Sequence, residues 1–239
     1  MIAAIVARIS SHSTLKLRLS AALTLFFCVP YFALQRFVYF PVRELPMTSL
    51  DTAIPFAPQW VWIYQSIYLL ISVVPWLAVH AEDLRWYARG FVIQAGTAFL
   101  CFFLTPIHGP RPAVVPHEGM FGLLVSYDAP LNSFPSLHVA LAVSTCALAA
   151  RLARDLRPRL RVAIVGIPVA WTMLIAYAAV ATRQHYVVDI PAGALLACAS
   201  VVVAGRTSRR TASTPTARPR QLGAALPAAA PLSRKEPTC

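Results

Sequence analysis

Six apolar runs, each close to the length that crosses a bilayer, constrain this chain more than any other feature. They cover roughly residues 17–39, 60–79, 90–105, 133–150, 162–181 and 186–205. A hydrocarbon core of ~30 Å takes about 20 helical residues at ~1.5 Å each. Within that core every backbone N–H and C=O must be bonded inside its own segment, which leaves the helix as the natural solution. The runs therefore predict an all-α, polytopic membrane protein with six transmembrane helices, the third and fourth near the lower limit of length. Composition agrees, with 58% hydrophobic and 13% charged residues and a mean hydropathy of +0.62. A soluble domain carries about 25% charged residues.

A formal charge of +12 invites a nucleic-acid partner, but its distribution argues for topology instead. With the N-terminus inside, the inner segments hold Arg8, Lys16, Arg18, Arg85, Arg89, Arg151, Arg154, Arg157, Arg159, Arg161 and seven basic residues beyond 205. Only Arg36, Arg43, Arg111 and Arg183 fall outside. The positive-inside rule then predicts an N-in, C-in arrangement. Residues 1–16 read as an interfacial segment and 17–205 as the membrane domain. Residues 206–239, rich in Ala, Pro, Thr, Ser and Arg without an aromatic residue, read as a disordered basic cytoplasmic tail. The stretch 80–89 reads as a compact inner turn. Cys28, Cys101, Cys146 and Cys198 lie in separate runs and Cys239 is terminal, so neither a disulfide framework nor a thiolate metal site is expected.

Two polar islands interrupt this lipid-like sequence, Phe134-Pro135-Ser136-Leu137-His138 and Thr182-Arg183-Gln184-His185-Tyr186-Val187-Val188-Asp189. Each opens an apolar run, where polar side chains are costly and mark function by default. In the predicted topology both islands lie on the outer side, together with Gly109-Pro110-Arg111-Pro112.

His185 and Asp189 are four residues apart, the spacing that shares one helix face. A carboxylate so placed orients an imidazole and stabilises positive charge on it as the free nitrogen attacks. Ser136 after Pro135 is suited to cap a helix, whose free N–H groups favour an anion. His138 has the chemistry of a proton donor to a leaving alkoxide. Arg111 and Arg183 supply planar donors for phosphate oxygens. Taken singly, each island also reads as a helix cap with an interfacial histidine. Taken together they make a phosphate site with His138, His185 and Asp189 catalytic and Arg111, Ser136 and Arg183 binding phosphate.

FPSLH followed about 45 residues later by TRQHYVVDIPAG resembles the second and third signature segments of the type 2 phosphatidic acid phosphatase superfamily. The PSLH and HYxxD forms are most similar to its inositol-phosphorylceramide-synthase-like branch. The resemblance implies a six-helix core in which His185 forms a phosphohistidine, His138 protonates the leaving group and Asp189 orients the nucleophile. It implies no metal and no cofactor for hydrolysis. The sequence departs from the family pattern at Leu104, where a lysine is usual seven residues before Arg111, and at Ala179, where an arginine is usual six residues before His185. Leu137 also stands where the phosphatases have glycine.

These readings converge on a membrane lipid phosphatase or phosphotransferase working at the outer face. Its partners are a lipid phosphate or phospholipid and either water or an alcohol acceptor, with no nucleic acid. A bacterial inner membrane, with the site facing the periplasm or exterior, fits the composition. Two alternatives are a transporter or metal-handling protein, drawing on His108, His117, His138 and His185, and an inactive scaffold, drawing on the lysine replaced by Leu104. No HxxxH or HxH spacing pairs those histidines.

Overall fold

A computed structural model describes residues 2–112, 114 and 116–212. The chain is mostly helical: α1 (Ile2–Ser10), α2 (Ser13–Arg36), α3 (Ser49–Ala53), α4 (Val61–Gln65), α5 (Ile67–Trp76), α6 (Ala81–Leu104), α7 (Gly119–Tyr127), α8 (Leu137–Leu152), α9 (Pro158–Ala181) and α10 (Asp189–Ala212). Two short strands, β1 (Arg43–Glu44) and β2 (Ile107–His108), pair in parallel. They tie the segment after α2 to the segment after α6 and so bond loop backbone that would otherwise lack partners.

Among the described residues, four helices are long and apolar enough to cross a membrane: α2, α6, α9 and residues 189–207 of α10. Their outward faces are apolar and bare, with Leu25, Ile167, Met173 and Leu195 each about two-thirds exposed. In water such surfaces would be a liability, whereas in lipid they are the required solvent boundary. The fourth run forms α8, whose 16 residues span ~24 Å. The second run is divided at Ser66 into α4 and α5. There the Ser66 hydroxyl donates to the Ile63 carbonyl at 2.6 Å while accepting from Trp171 Nε1 at 2.7 Å. A hydroxyl turned back on its own helix tightens the local turn and bends the axis.

The stretch 80–89 is not the turn the sequence suggests, because α6 begins at Ala81. Glu82 and Asp83 sit at its N-terminus, where negative charge favours a helix. Asp83 also accepts from Arg151 Nε at 2.5 Å, Arg151 stacks over Trp86 at 4.9 Å, and Trp86 and Tyr87 are buried. At the other end of the chain α10 continues to Ala212, so residues 206–212 of the expected tail are helical. The rest of that tail, 213–239, lies outside the described residues.

α8 is the central helix, packed against α5, α6, α9 and α10. Its inward positions are small, with Ala140, Ala142, Ser144, Thr145 and Ala149 all buried, and small residues let helix backbones approach closely. Polar members of this seam are paired: Ser144 donates to Gln94 Oε1 at 2.7 Å, and Thr145 bonds Tyr87 at 2.9 Å. α8 is therefore held rigidly along its length, and its N-terminus carries the Ser136–His138 island.

Candidate active site

α9 ends in a Schellman turn whose left-handed residue is Arg183 (φ 56°). Arg183 N–H donates to Val180 O at 2.9 Å and Gln184 N–H to Ala179 O at 3.0 Å, the two bonds that satisfy the last carbonyls of a helix. Glycine normally fills this position. Arginine is held there by its guanidinium, which donates to the carbonyls of Asp51 at 2.7 Å and Ile54 at 2.9 Å. Asp51 in turn caps α3 through Thr48 and accepts from the Val187 N–H at 2.7 Å. The segment between α9 and α10 is thus fastened to α3 at both Arg183 and Val187.

His185 lies in this turn, ahead of α10, not on a helix face shared with Asp189. α10 starts at Asp189 itself, whose side chain folds back to accept from the Tyr186 N–H at 2.8 Å. The two side chains still meet: His185 Nδ1 is 3.3 Å from Asp189 Oδ2. A second contact is shorter, with Nδ1 2.9 Å from the Ser133 carbonyl oxygen. A carbonyl can only accept, so Nδ1 carries the hydrogen, and in the neutral ring the lone pair is on Nε2. No hydrogen bond to Nε2 is present among the described residues.

Asp189 is fully buried. Its Oδ2 accepts from Ser133 Oγ at 2.5 Å as well as from Tyr186 N–H and His185 Nδ1, while Oδ1 has no protein partner. Three donors on one oxygen hold the carboxylate in one orientation.

Ser136 caps α8, accepting from the Val139 N–H at 3.4 Å, and its own N–H donates to Asp189 O at 3.2 Å. That backbone bond locks the two islands together. Gly193 permits it, because a Cβ there would come within 2.3 Å of Ser136 O. His138 follows on the first turn of α8. Its ring stacks on Tyr64 (centroids 4.4 Å) with Nδ1 3.1 Å from the Tyr64 hydroxyl, and its centroid is 5.8 Å from that of His185.

The Arg111 side chain is largely buried between Asp128 and Gln184, the residue before His185. Its Nη2 donates to Asp128 O at 2.7 Å and to Gln184 Oε1 at 3.0 Å, while its Nε is buried with no partner. Gly109 allows this loop to lie against the His185 turn, since a Cβ there would meet Gln184 O at 2.9 Å. Asp128 accepts from Tyr31 at 2.8 Å and Gln35 at 2.6 Å, both on α2. Burial pushes its carboxyl above the ordinary range, against the opposing pull of those two donors and of Arg111.

His138, His185, Asp189 and Ser136 are thus brought together, with Arg111 at the rim. Arg183 is adjacent in sequence, but its guanidinium is directed to α3. Ser133, Tyr64, Gln184 and Asp128 complete the site. None of these four is singled out by the sequence, although Ser133 directly precedes the FPSLH segment. Among the described residues, no group of three or more His, Cys, Asp or Glu could hold a metal ion.

Neither the curated proteins nor the solved structures contain a match to the chain. A family model described as PAP2 superfamily matches residues 31–203, well over half of the chain and every residue of the site just described. On that match the chain belongs to the PAP2 superfamily.

Proposed function

We propose that this protein is a lipid phosphatase or phosphotransferase that works through a phosphohistidine on His185. Membership of the PAP2 superfamily suggests phosphoric ester hydrolase activity and a phosphorylated, lipid-type substrate in general. The observation that carries the finer reading is the bond from His185 Nδ1 to the Ser133 carbonyl, which leaves Nε2 as a free base in a buried site. Nε2 attacks phosphorus, the bond from phosphorus to the lipid oxygen breaks, and His138 gives the departing alkoxide its proton. Asp189 stabilises the positive charge that grows on the His185 ring. Water or an alcohol then attacks the phosphohistidine, its proton passes to His138, and the N–P bond breaks to restore His185.

Arg111 serves as the phosphate clamp, supported by its unpartnered Nε, and the N-terminal N–H groups of α8 behind Ser136 add donors for the same oxygens. Arg183 contributes through the turn it holds. The charge distribution of the sequence supports an N-in, C-in protein with α4–α5 and α8 completing six spans and the site at the outer face.

The test is phosphate release by purified protein from lipid monoesters and intact phospholipids, with and without acceptor alcohols. Release that requires His185 identifies a phosphatase. Acceptor-dependent transfer with little free phosphate identifies a transferase. Undiminished turnover in His185→Ala refutes the mechanism.

A further inference from the structure

A cavity of about 430 Å³ begins at His138 and runs down the inside of the bundle between α2, α5, α6 and α8. α2 lines it with one continuous stripe, Lys16, Ser20, Leu23, Phe27 and Tyr31, which recurs every three or four residues as a single helix face must. From Lys16 to Tyr31 the stripe is ~22 Å long. Its outer end is polar, with Tyr127, Asp128 and His138, and its walls beyond them are chiefly apolar. α2 is carried by α6, and the rim facing α5 is open, with Ser20, Thr24 and Ser72 exposed.

The far end is closed by a built floor. Lys16 is 2% exposed, and its Nζ donates to Arg8 O at 2.6 Å and Trp76 O at 2.8 Å. These carbonyls belong to the last turns of α1 and α5, where a cation is favoured. Trp76 and Pro75 share the cavity wall beside it.

We propose that this cavity seats one hydrocarbon chain of the substrate and that the Lys16–Trp76 floor sets the chain length. The proposal rests on the assignment of His138 as proton donor to the leaving group. The oxygen His138 protonates carries the lipid, and His138 is itself a wall of the cavity, so the chain attached to that oxygen has the cavity as its continuation. At ~30 Å³ for each water-sized unit, comparable to a methylene group, the volume holds a chain on the order of 14 carbons. A second chain of the same lipid lies outside, through the opening beside Ser20 and Ser72.

The experiment uses alkyl phosphates with a photoreactive diazirine at the tail end, from octyl to hexadecyl. They are bound to full-length His185→Ala protein in lipid nanodiscs and the adducts are mapped by mass spectrometry. The labelled position is expected to move inward along the α2 stripe, from the turn at Phe27 with octyl to the turn at Leu19 with hexadecyl. Ser20→Trp should hold the hexadecyl label near Leu23 and reduce labelling at Leu19 at least ten-fold. Labelling confined to bilayer-facing Leu25 and Val29 at every length, or an unchanged pattern in Ser20→Trp, overturns the proposal. Turnover of the same compounds by the unsubstituted protein is measured separately. Length-dependent labelling without His185-dependent turnover keeps the tail site and removes the catalytic reading, and turnover with length-blind labelling does the reverse.

Discussion

Asp189→Asn separates two roles that a carboxylate beside a catalytic histidine usually combines, fixing the tautomer and stabilising charge. In serine-protease triads the aspartate does both, and the corresponding change costs ~10⁴ in rate because the wrong tautomer forms. Here the Ser133 carbonyl, 2.9 Å from Nδ1, fixes the tautomer by itself. The amide oxygen of the substituted side chain can take the place of Oδ2 and keep the Ser133, Tyr186 and His185 donors. Its NH₂ then occupies the place of Oδ1, which has no protein partner, so no existing bond is broken. What is lost is charge. A full positive charge 3.3 Å from Asp189 is worth about 5 kcal/mol at an effective dielectric of ~20. A ring carrying about half a charge in the transition state therefore loses about 2.5 kcal/mol, a rate loss on the order of 10². The assay is single-turnover phosphoenzyme formation on a lipid monoester, with His185→Ala as the floor and thermal unfolding in detergent as the check on folding. A loss of ~10⁴ or more in folded protein would show that the Ser133 carbonyl does not hold the tautomer. An unchanged rate would show that Asp189 does not stabilise the transition state.

Three further changes test the scaffold around the histidines. Gly193→Ala drives a methyl group against Ser136 O, which is backbone and cannot swing aside. It should cost about 1–3 kcal/mol of stability and at least ten-fold in activity, read by thermal unfolding and phosphate release, whereas a silent substitution would contradict the close packing of α8 on α10. Arg183→Gly keeps the left-handed turn but removes two charge-assisted bonds to Asp51 and Ile54. Unfolding midpoints should report a loss of about 2–4 kcal/mol, with Km for a soluble phosphate monoester changing less than three-fold, whereas a large rise in Km at full stability would place Arg183 on the phosphate. Burial would raise the Asp51 carboxyl, but bonds from Thr48 and Val187 and the charge of Arg183 outweigh it and hold it below the ordinary carboxylate value. Because the folded value is the lower one, the stabilisation is complete above pH ~4 and fades as pH falls through the folded value. Asp51→Asn should therefore lower stability at neutral pH and flatten its dependence below pH ~4, and an unaltered acid profile would refute the tie between α3 and the His185 turn.

Several features were readable from single positions and their spacing because the physics behind them is local. Apolar runs of bilayer length imply helices wherever they fall, since hydrocarbon offers the backbone no other partner. Pro135-Ser136 ahead of an apolar run marked the start of α8, and Ser136 is its cap. A spacing of four brought His185 to Asp189, although through a turn closed by Asp189 itself. The sequence also singled out Arg111, which lies at the rim of the same site.

Other features depend on what each segment meets after folding. The polar stretch 80–89 becomes helix because Asp83 and Trp86 find Arg151, 68 and 65 positions away in the chain. Arg183 has the chemistry of a phosphate ligand, and only its left-handed backbone and the nearby carbonyls of Asp51 and Ile54 direct it elsewhere. Ser133 orients the nucleophile through a main-chain oxygen, a group every residue possesses and no pattern of side chains can flag. Tyr64 reaches His138 from 74 positions away, and the Lys16–Trp76 floor joins residues 60 apart. The sequence by itself determined where helices lie and which side chains have phosphate chemistry, because those follow from composition and short spacing. Only the tertiary structure decided which of them share one site, since that depends on how closely α8 and α10 approach across Gly193 and on which buried donors find an acceptor there.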